Sequence, residues 1–477
     1  MPFDVPLQHL LDRSHLYESR QIRWERRPAT PGAVAFVDEL AAELEKAEGR
    51  PRGRSQADRV RLRGCLGAVL MDLLAVAEEA TGRWLAVSMR QSDYAQRRYL
   101  PDFASFRLMT AVVAFMRAAG HLDIRAGSFR RYQGFGSEAG RGYRTRIRAT
   151  ERLLAMAASR GVSAADAALD APVEVIRLKG FPKTHKGAKP LLAYEETAQT
   201  RAWRQALAGW QEVVDHHDVR LVEDVLPAAA TPPSDDDDGA GELSDRRSAF
   251  LYRVFNEGRW DRGGRFYGGW WQGLRKADRA NITIDGEVVV ELDFKAMHAR
   301  LAYHLLGLEL PLGVDPYAVP RLPLGVTRDH VKRCFNQLIA VGPDTRVRQP
   351  PEVELPRKGL WPRVTSAVEQ HHAAIAPAWF RQGRALDLQR IDSEIAERVL
   401  GYFTTVLQRP VLPVHDSFIV AASDEAKLGE IMMLAYRGVL NARIGREVWP
   451  VVDGWTSADV ERRVRSALGI DATRTVL

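Results

Sequence analysis

The stretch ITIDGEVVVELDFKAMHARLAYHLLG, Ile282 to Gly307, compresses a hairpin, a strand and a helix into one run. Asp285-Gly286, set between Ile282/Ile284 and the next apolar segment, is a strong hairpin-turn signal. In the strand that follows, Val288, Val290 and Leu292 alternate with Val289, Glu291 and Asp293, which puts Asp293 on the face opposite the apolar row. A helix is expected at once, with Met297, Leu301 and Leu305 recurring every four residues to bury one side against the sheet. An aspartate ending a strand that feeds a helix occurs in catalytic and non-catalytic proteins alike. Its meaning depends on its partners.

One partner is offered by LPVHDSFIV, Leu412 to Val420, where His415 and Asp416 stand between two apolar runs. A polar tip on an ordinary β-hairpin is the commoner meaning of that pattern. The alternative is that two strands hold Asp416 at the edge of a sheet as a metal ligand. Asp293 and Asp416 together are what a two-metal nucleotidyl transferase needs, with ions roughly 3.5–4 Å apart activating the attacking hydroxyl and steadying the leaving pyrophosphate. Hard oxygen ligands suit magnesium. Between them, TRDHVKRCFNQLIAVG opens with Thr327 as an N-cap and has Asp329 in the first turn, so a helix is predicted. Arg328, Lys332, Asn336 and Ala340 share one face, and Val331, Cys334, Leu338 and Val341 an apolar one. Two cations one turn apart can clamp a triphosphate.

The order of these elements resembles the palm and fingers of family A polymerases, the superfamily of bacterial A-family DNA polymerases and single-subunit phage-type RNA polymerases. ELDF resembles the first palm motif, the Arg328/Lys332 spacing the finger helix, and VHDSF the last palm motif. Upstream, DRGGRFYGGWWQ is similar to an arginine- and glutamine-bearing segment of both branches, which implies that Arg265 and Gln272 touch primer–template or nucleotide. LQRIDSEIAERVL resembles the helix before the last motif, whose polar side chains, Gln389 here, meet the template. His415 would sit near the primer end. His298, five residues after Asp293, falls where the DNA branch carries a ribose-crowding glutamate and the RNA branch a small residue. A histidine either excludes the 2′-hydroxyl or hydrogen-bonds it. The resemblance covers about residues 250–425 and implies magnesium as cofactor, with a DNA template and nucleoside triphosphates as partners. Spacings of 39 residues from Asp293 to Lys332 and 84 from Lys332 to Asp416 imply small fingers. Asn336 and Ala340 depart from the aromatic and tyrosine usual in the family, which bears on base stacking and sugar selection.

The rest of the chain is read from composition and pattern. It has 477 residues, 45% hydrophobic content and a net charge of +7, which favours two or more domains and a polyanionic partner. Two cysteines, Cys65 and Cys334, make no disulfide or zinc framework, and no segment has the length to span a bilayer, so a cytoplasmic protein without a membrane partner is expected. Residues 51–150 hold 18 Arg against 8 acidic residues. There a helix over 105–119, a stop at Gly120 and two extended segments carrying Arg125, Arg130, Arg131, Arg141, Arg144, Arg146 and Arg148 resemble a winged helix gripping duplex DNA. A solvated basic face is the competing meaning. The expected class is α+β: a mainly helical, winged-helix-like DNA-binding region at 1–165, a basic hairpin and helix forming a thumb-like element at 166–227, an acidic linker at 228–246, and a compact palm and fingers domain with an antiparallel sheet at 247–477. The helix at 196–217 ends in Asp215-His216-His217-Asp218, whose adjacent side chains diverge too far to close on one ion. The reading is a template-directed polymerase acting with other replication proteins, with DNA synthesis slightly favoured over an RNA polymerase or primase. The alternative of another class is a non-catalytic replication initiator with a degenerate palm.

Overall fold

The computed structural model describes residues 19–78, 84–131, 140–170, 172–182, 189–222, 249–320, 322–351, 353–456, 458–459 and 462, with backbone alone at 128–131 and 140–143. The acidic linker expected at 228–246 and positions 183–188 of the basic hairpin lie outside the described residues. Helices and small sheets occur together, an α+β chain. The described residues fall into two compact units, one within Met1–Arg177, Pro182–Ala193 and Gly241–Phe250, the other within Leu178–Phe181, Tyr194–Ala240 and Leu251–Leu477. Among the described residues no helix is long and apolar enough to cross a membrane.

The first unit is built on helices α1 (Pro31–Glu48), α2 (Gln56–Glu78), α3 (Phe106–Ala118) and α4 (Glu151–Ser159). Thr30 caps α1 by accepting from Ala33 N, and Ser105 caps α3 by accepting from Leu108 N. Phe36 and Leu40 of α1, Leu66 and Leu70 of α2, and Met109, Val112 and Met116 of α3 meet in one buried core. Besides a two-stranded pair, Arg26–Pro28 with Ala167–Leu169, the unit has strands β1 (Arg20–Gln21), β2 (Leu85–Val87), β3 (Leu122–Arg125), β4 (Ser128–Arg131), β5 (Gly140–Tyr143) and β6 (Thr145–Ala149). Strands β1, β2, β6 and β3 form a sheet in that order, and β4-β5 a separate ribbon. Strand β6 runs antiparallel to β2 and β3. Thus α3 is followed by β3, the ribbon and β6 in chain order.

The second unit opens with α5 (Ala198–Asp215), whose Trp210 Nε1 donates to Val411 O at 2.8 Å. The helix expected in a thumb-like element therefore packs in the same unit as the large sheet. The strands here are β7 (Val219–Leu221), β8 (Tyr252–Phe255), β9 (Gly263–Tyr267), β10 (Ile282–Ile284), β11 (Glu287–Asp293), β12 (Leu412–Val414) and β13 (Ser417–Ala421). The sheet order is β7-β10-β11-β13-β12, and every pairing is antiparallel. Asp285 (φ 52°) and Gly286 (φ 78°) make the tight β10–β11 turn. Two local departures from the sequence reading appear. Val288, beside that turn, is 64% exposed, and Leu292 is the buried member of its row. The next helix, α6 (Met297–His304), does not begin at once: Phe294 first bridges to Val452, and Ala296 takes the left-handed conformation (φ 53°). Met297 and Leu301 are buried, whereas Leu305 is the half-buried C-cap.

Helices α7 (Arg328–Ala340), α8 (Trp361–His371), α9 (Ala385–Tyr402) and α10 (Glu425–Ile444) complete this unit. A reciprocal capping box between Thr327 and His330 starts α7, and Val331, Cys334 and Leu338 are fully buried. The β8–β9 hairpin lies against α9. Gly264 (φ 94°) permits that approach, because a Cβ there would come within 2.9 Å of Ser393 Oγ and of the Phe255 ring.

Candidate active site

Strands β11 and β13 pair without a break from Val289↔Ala421 to Asp293↔Ser417. That register sets Asp293 beside the β12–β13 turn, where Phe294 N donates to Asp416 O at 3.3 Å. His415 adopts φ 59°, the left-handed conformation typical of two-residue hairpins, and Asp416 stands next to it at the tip. A third aspartate arrives from the far end of the chain. Asp453 N donates to Asp293 O at 3.1 Å, and Lys295 Nζ lies 3.0 Å from Asp453 Oδ1. Burial pushes the Asp293 carboxyl up to about 7, the charges of Asp416 and Asp453 push the same way, and Lys276 and Lys332 oppose them. Four charged groups from separate segments thus act on the Asp293 carboxyl. Lys332 is among them although α7 is remote in sequence from β11 and β13.

Beside this cluster, Asp392 of α9 is buried with its side chain 1% exposed, and holds two of the expected site residues. Arg265 of β9 reaches Asp392 Oδ2 at 2.5 Å through Nη2 and at 3.1 Å through Nε. His298 Nε2 lies 2.8 Å from the same oxygen and 3.1 Å from Arg265 Nη2. Burial opposes ionisation of Asp392, but Arg265 and His298 outweigh it and hold the carboxyl below its ordinary range. Asp416 is also among the charges that raise the Arg265 guanidinium, after burial, which lowers it, and Asp392. On the sheet face shared with Asp293, Glu291 is clamped by Arg279 through two 2.8 Å contacts and accepts from Ser417 Oγ at 2.8 Å.

The remaining expected residues are placed as follows. Arg328 is exposed at the start of α7, paired with Asp315 at 2.5 and 3.0 Å and lying over the Tyr317 ring. Asn336 is half-buried one turn beyond exposed Lys332, and Ala340 is exposed. Gln272 donates its amide to the carbonyls of Phe266 and Pro413, each at 3.0 Å. Gln389 is buried on α9. The His415 ring meets Tyr267 edge-on at 5.4 Å. The DHHD run serves the fold: His217 Nδ1 sits 2.6 Å from Asp285 Oδ2, and Asp218 N donates to Asp285 Oδ1 at 2.8 Å. Both thiols, of Cys65 and Cys334, are pushed up by burial to about 12 and stay protonated.

In the first unit, Arg125 is exposed on β3, and Arg144 donates to Gln21 Oε1 at 2.7 Å. Arg148 pairs with Asp123 at 3.0 Å and covers the Trp84 ring. Arg146 is buried, 7% exposed. Arg130, Arg131 and Arg141 lie on the β4–β5 ribbon, where the side chains are not described.

Asp392 and Asp453 were absent from the sequence reading, though each left a signal. Asp392 falls on the Leu388–Ile395–Val399 stripe of its helix, a carboxylate where periodicity calls for an apolar residue. Asp453 precedes Gly454 after an apolar pair, an Asp-Gly turn. Among the described residues no three His, Cys, Asp or Glu side chains are gathered to hold a metal ion. Magnesium needs no such cage, since one or two carboxylates plus substrate phosphates commonly suffice. Half-buried Asp293 is raised to about 7 first by desolvation and then by the negative charges of Asp416 and Asp453, a local crowding of carboxylates that a cation would relieve. No protein-family model, curated protein or solved structure matches this chain.

Proposed function

We propose that the second unit is a template-directed nucleic-acid polymerase and the first a duplex-binding module. The observation that carries this reading is the convergence of Asp293 and Asp416 at one end of an antiparallel sheet, with Lys332 of α7 acting on the same carboxylate. Asp293 and Asp416 would hold the magnesium ions, which when bound supply an activated hydroxyl nucleophile and charge compensation for the leaving pyrophosphate. The protein's own contribution is orientation and charge. Lys332 meets the triphosphate, and Arg328, steadied by Asp315, adds a second cation one turn away. His298 is pinned by Asp392 and Arg265, so its ring forms a fixed wall beside the site, and a fixed wall favours exclusion of a 2′-hydroxyl and hence DNA synthesis. For the first unit, support comes from the succession of α3, β3, ribbon and β6 together with the exposed Arg125 and Arg144.

Primer extension by the full chain in magnesium, with all four dNTPs and separately all four NTPs, tests the reading. Products that follow the template, longer with dNTPs, are expected. DNA binding without extension in either nucleotide set would instead support the non-catalytic initiator.

A further inference from the structure

A cavity of about 360 Å³ in the first unit is walled by Arg50, Arg54, Arg61, Arg97 and Arg107, with Asp58 and Asp102 as its lining acids. So many guanidinium groups around one small space repel one another unless anions offset them. The protein supplies part of that compensation. Glu48 lies 2.7 Å from Arg50 and 2.6 Å from Arg54, and Asp58 lies 3.6 Å from Arg61. The rest is left open. Arg97 donates to the neutral carbonyls of Ala104 at 2.5 Å and Asp102 at 3.1 Å, which orders the loop but leaves its charge in place. Arg107 is exposed, and its side chain forms no hydrogen bond or ion pair among the described residues.

Two further observations point to a ligand. The Arg54 side chain, which lines the cavity, is only 6% exposed, and its Nε–H is buried with no acceptor among the described residues, an unfavourable state for a donor of this guanidinium. The N-terminal ends of both α2, with Asp58 in its first turn and Arg61 just beyond it, and α3, with Ser105 as N-cap and Arg107 in its first turn, open on the same space, so the positive ends of two long helices add to the field.

We propose that this cavity binds a phosphate monoester, the dianion whose oxygens match paired guanidinium forks. Its volume is at the lower end for ligand pockets, roughly 300–1,000 Å³, and suits one nucleotide. The monoester comes either from a free nucleotide or from the 5′ end of a nucleic-acid strand. The site belongs to the first unit and uses none of the palm residues, so its test is independent of polymerase activity.

Equilibrium binding by the full chain is measured for a 5′-phosphorylated and a 5′-hydroxyl single strand of one sequence, and for AMP against adenosine. The phosphorylated member of at least one pair should bind tighter by on the order of tenfold. Arg107→Ala, a change at an exposed and unpartnered side chain, should remove most of that difference, and Arg54→Lys should reduce it if the fold is retained. AMP competing as well as the phosphorylated strand assigns the site to free nucleotides, and a strand preferred far above AMP assigns it to strand ends. The proposal is overturned if neither pair distinguishes the phosphate, or if the preference survives unchanged in an Arg61→Ala, Arg107→Ala double variant.

Discussion

Asp293 carries a proton to an unusually high pH for an aspartate, about 7, through burial and the charges of Asp416 and Asp453. The folded state holds this proton more tightly than the unfolded chain, whose carboxyl titrates near the ordinary value of about 4. Metal-free stability should therefore fall as pH rises across that window, and magnesium affinity should rise with pH up to about 7, because the ion competes with the proton. Calorimetric magnesium titrations from pH 5.5 to 8 read this directly. Asp453→Asn, which removes one negative neighbour, should move the midpoint down; an unmoved midpoint would argue against the charge of Asp453 acting on Asp293. His298 is the second residue with a distinct forecast. His298→Gly removes the wall held by Asp392, so ribonucleotide incorporation should rise relative to deoxyribonucleotide in a competition assay. If the wild type already prefers ribonucleotides and the variant loses that preference, the histidine reads the hydroxyl and the protein makes RNA.

At the scale of elements, α9 ties the hairpin β8–β9 and helix α6 together through one carboxylate. Asp392→Ala would leave Arg265, itself 14% exposed, without its partner, and loss of one member of a buried pair costs about 3–5 kcal/mol. Urea denaturation should show that loss, and a change below about 1 kcal/mol would mean that Arg265 relaxes to water. The four-stranded sheet of the first unit allows a sharper contrast. Arg146 is buried and Arg125 and Arg144 are not, so Arg125→Ala with Arg144→Ala should flatten the salt dependence of duplex binding by up to about two contacts, and Arg146→Ala should lower stability. An unchanged salt slope in the double variant favours the solvated-face meaning of these arginines. Elements of this kind were legible where local rules act alone: Thr327 and an unbroken apolar stripe mark α7, and Asp285-Gly286 marks the β10–β11 turn. Less legible was the link after Asp293, where Phe294 bridges to Val452 from another part of the chain and Ala296 takes a left-handed conformation, neither of which local pattern encodes. Asp392 went unread for a related reason: a carboxylate on an apolar stripe makes sense only once Arg265 and His298, from other elements, are seen to surround it.

At the scale of the molecule, two units carry two different electrostatic characters, an arginine-rich first unit and a second unit whose sheet ends in acids. The site in the second unit was readable to the extent that its residues sit on strongly patterned strands and helices. Asp293, Asp416 and Lys332 were named as candidates from those patterns, whereas Asp453 and Lys276 come near Asp293 through long-range packing that periodicity does not encode. The central claim is that Asp293 and Asp416 form one catalytic pair, each without a substitute. Single-turnover nucleotide incorporation by Asp293→Asn and by Asp416→Asn, on a primer–template whose binding is measured in parallel, tests it most directly. Each variant should fold and bind DNA like the wild type while incorporating at least about a thousandfold more slowly. Incorporation by either variant at a rate near that of the wild type would contradict the assignment.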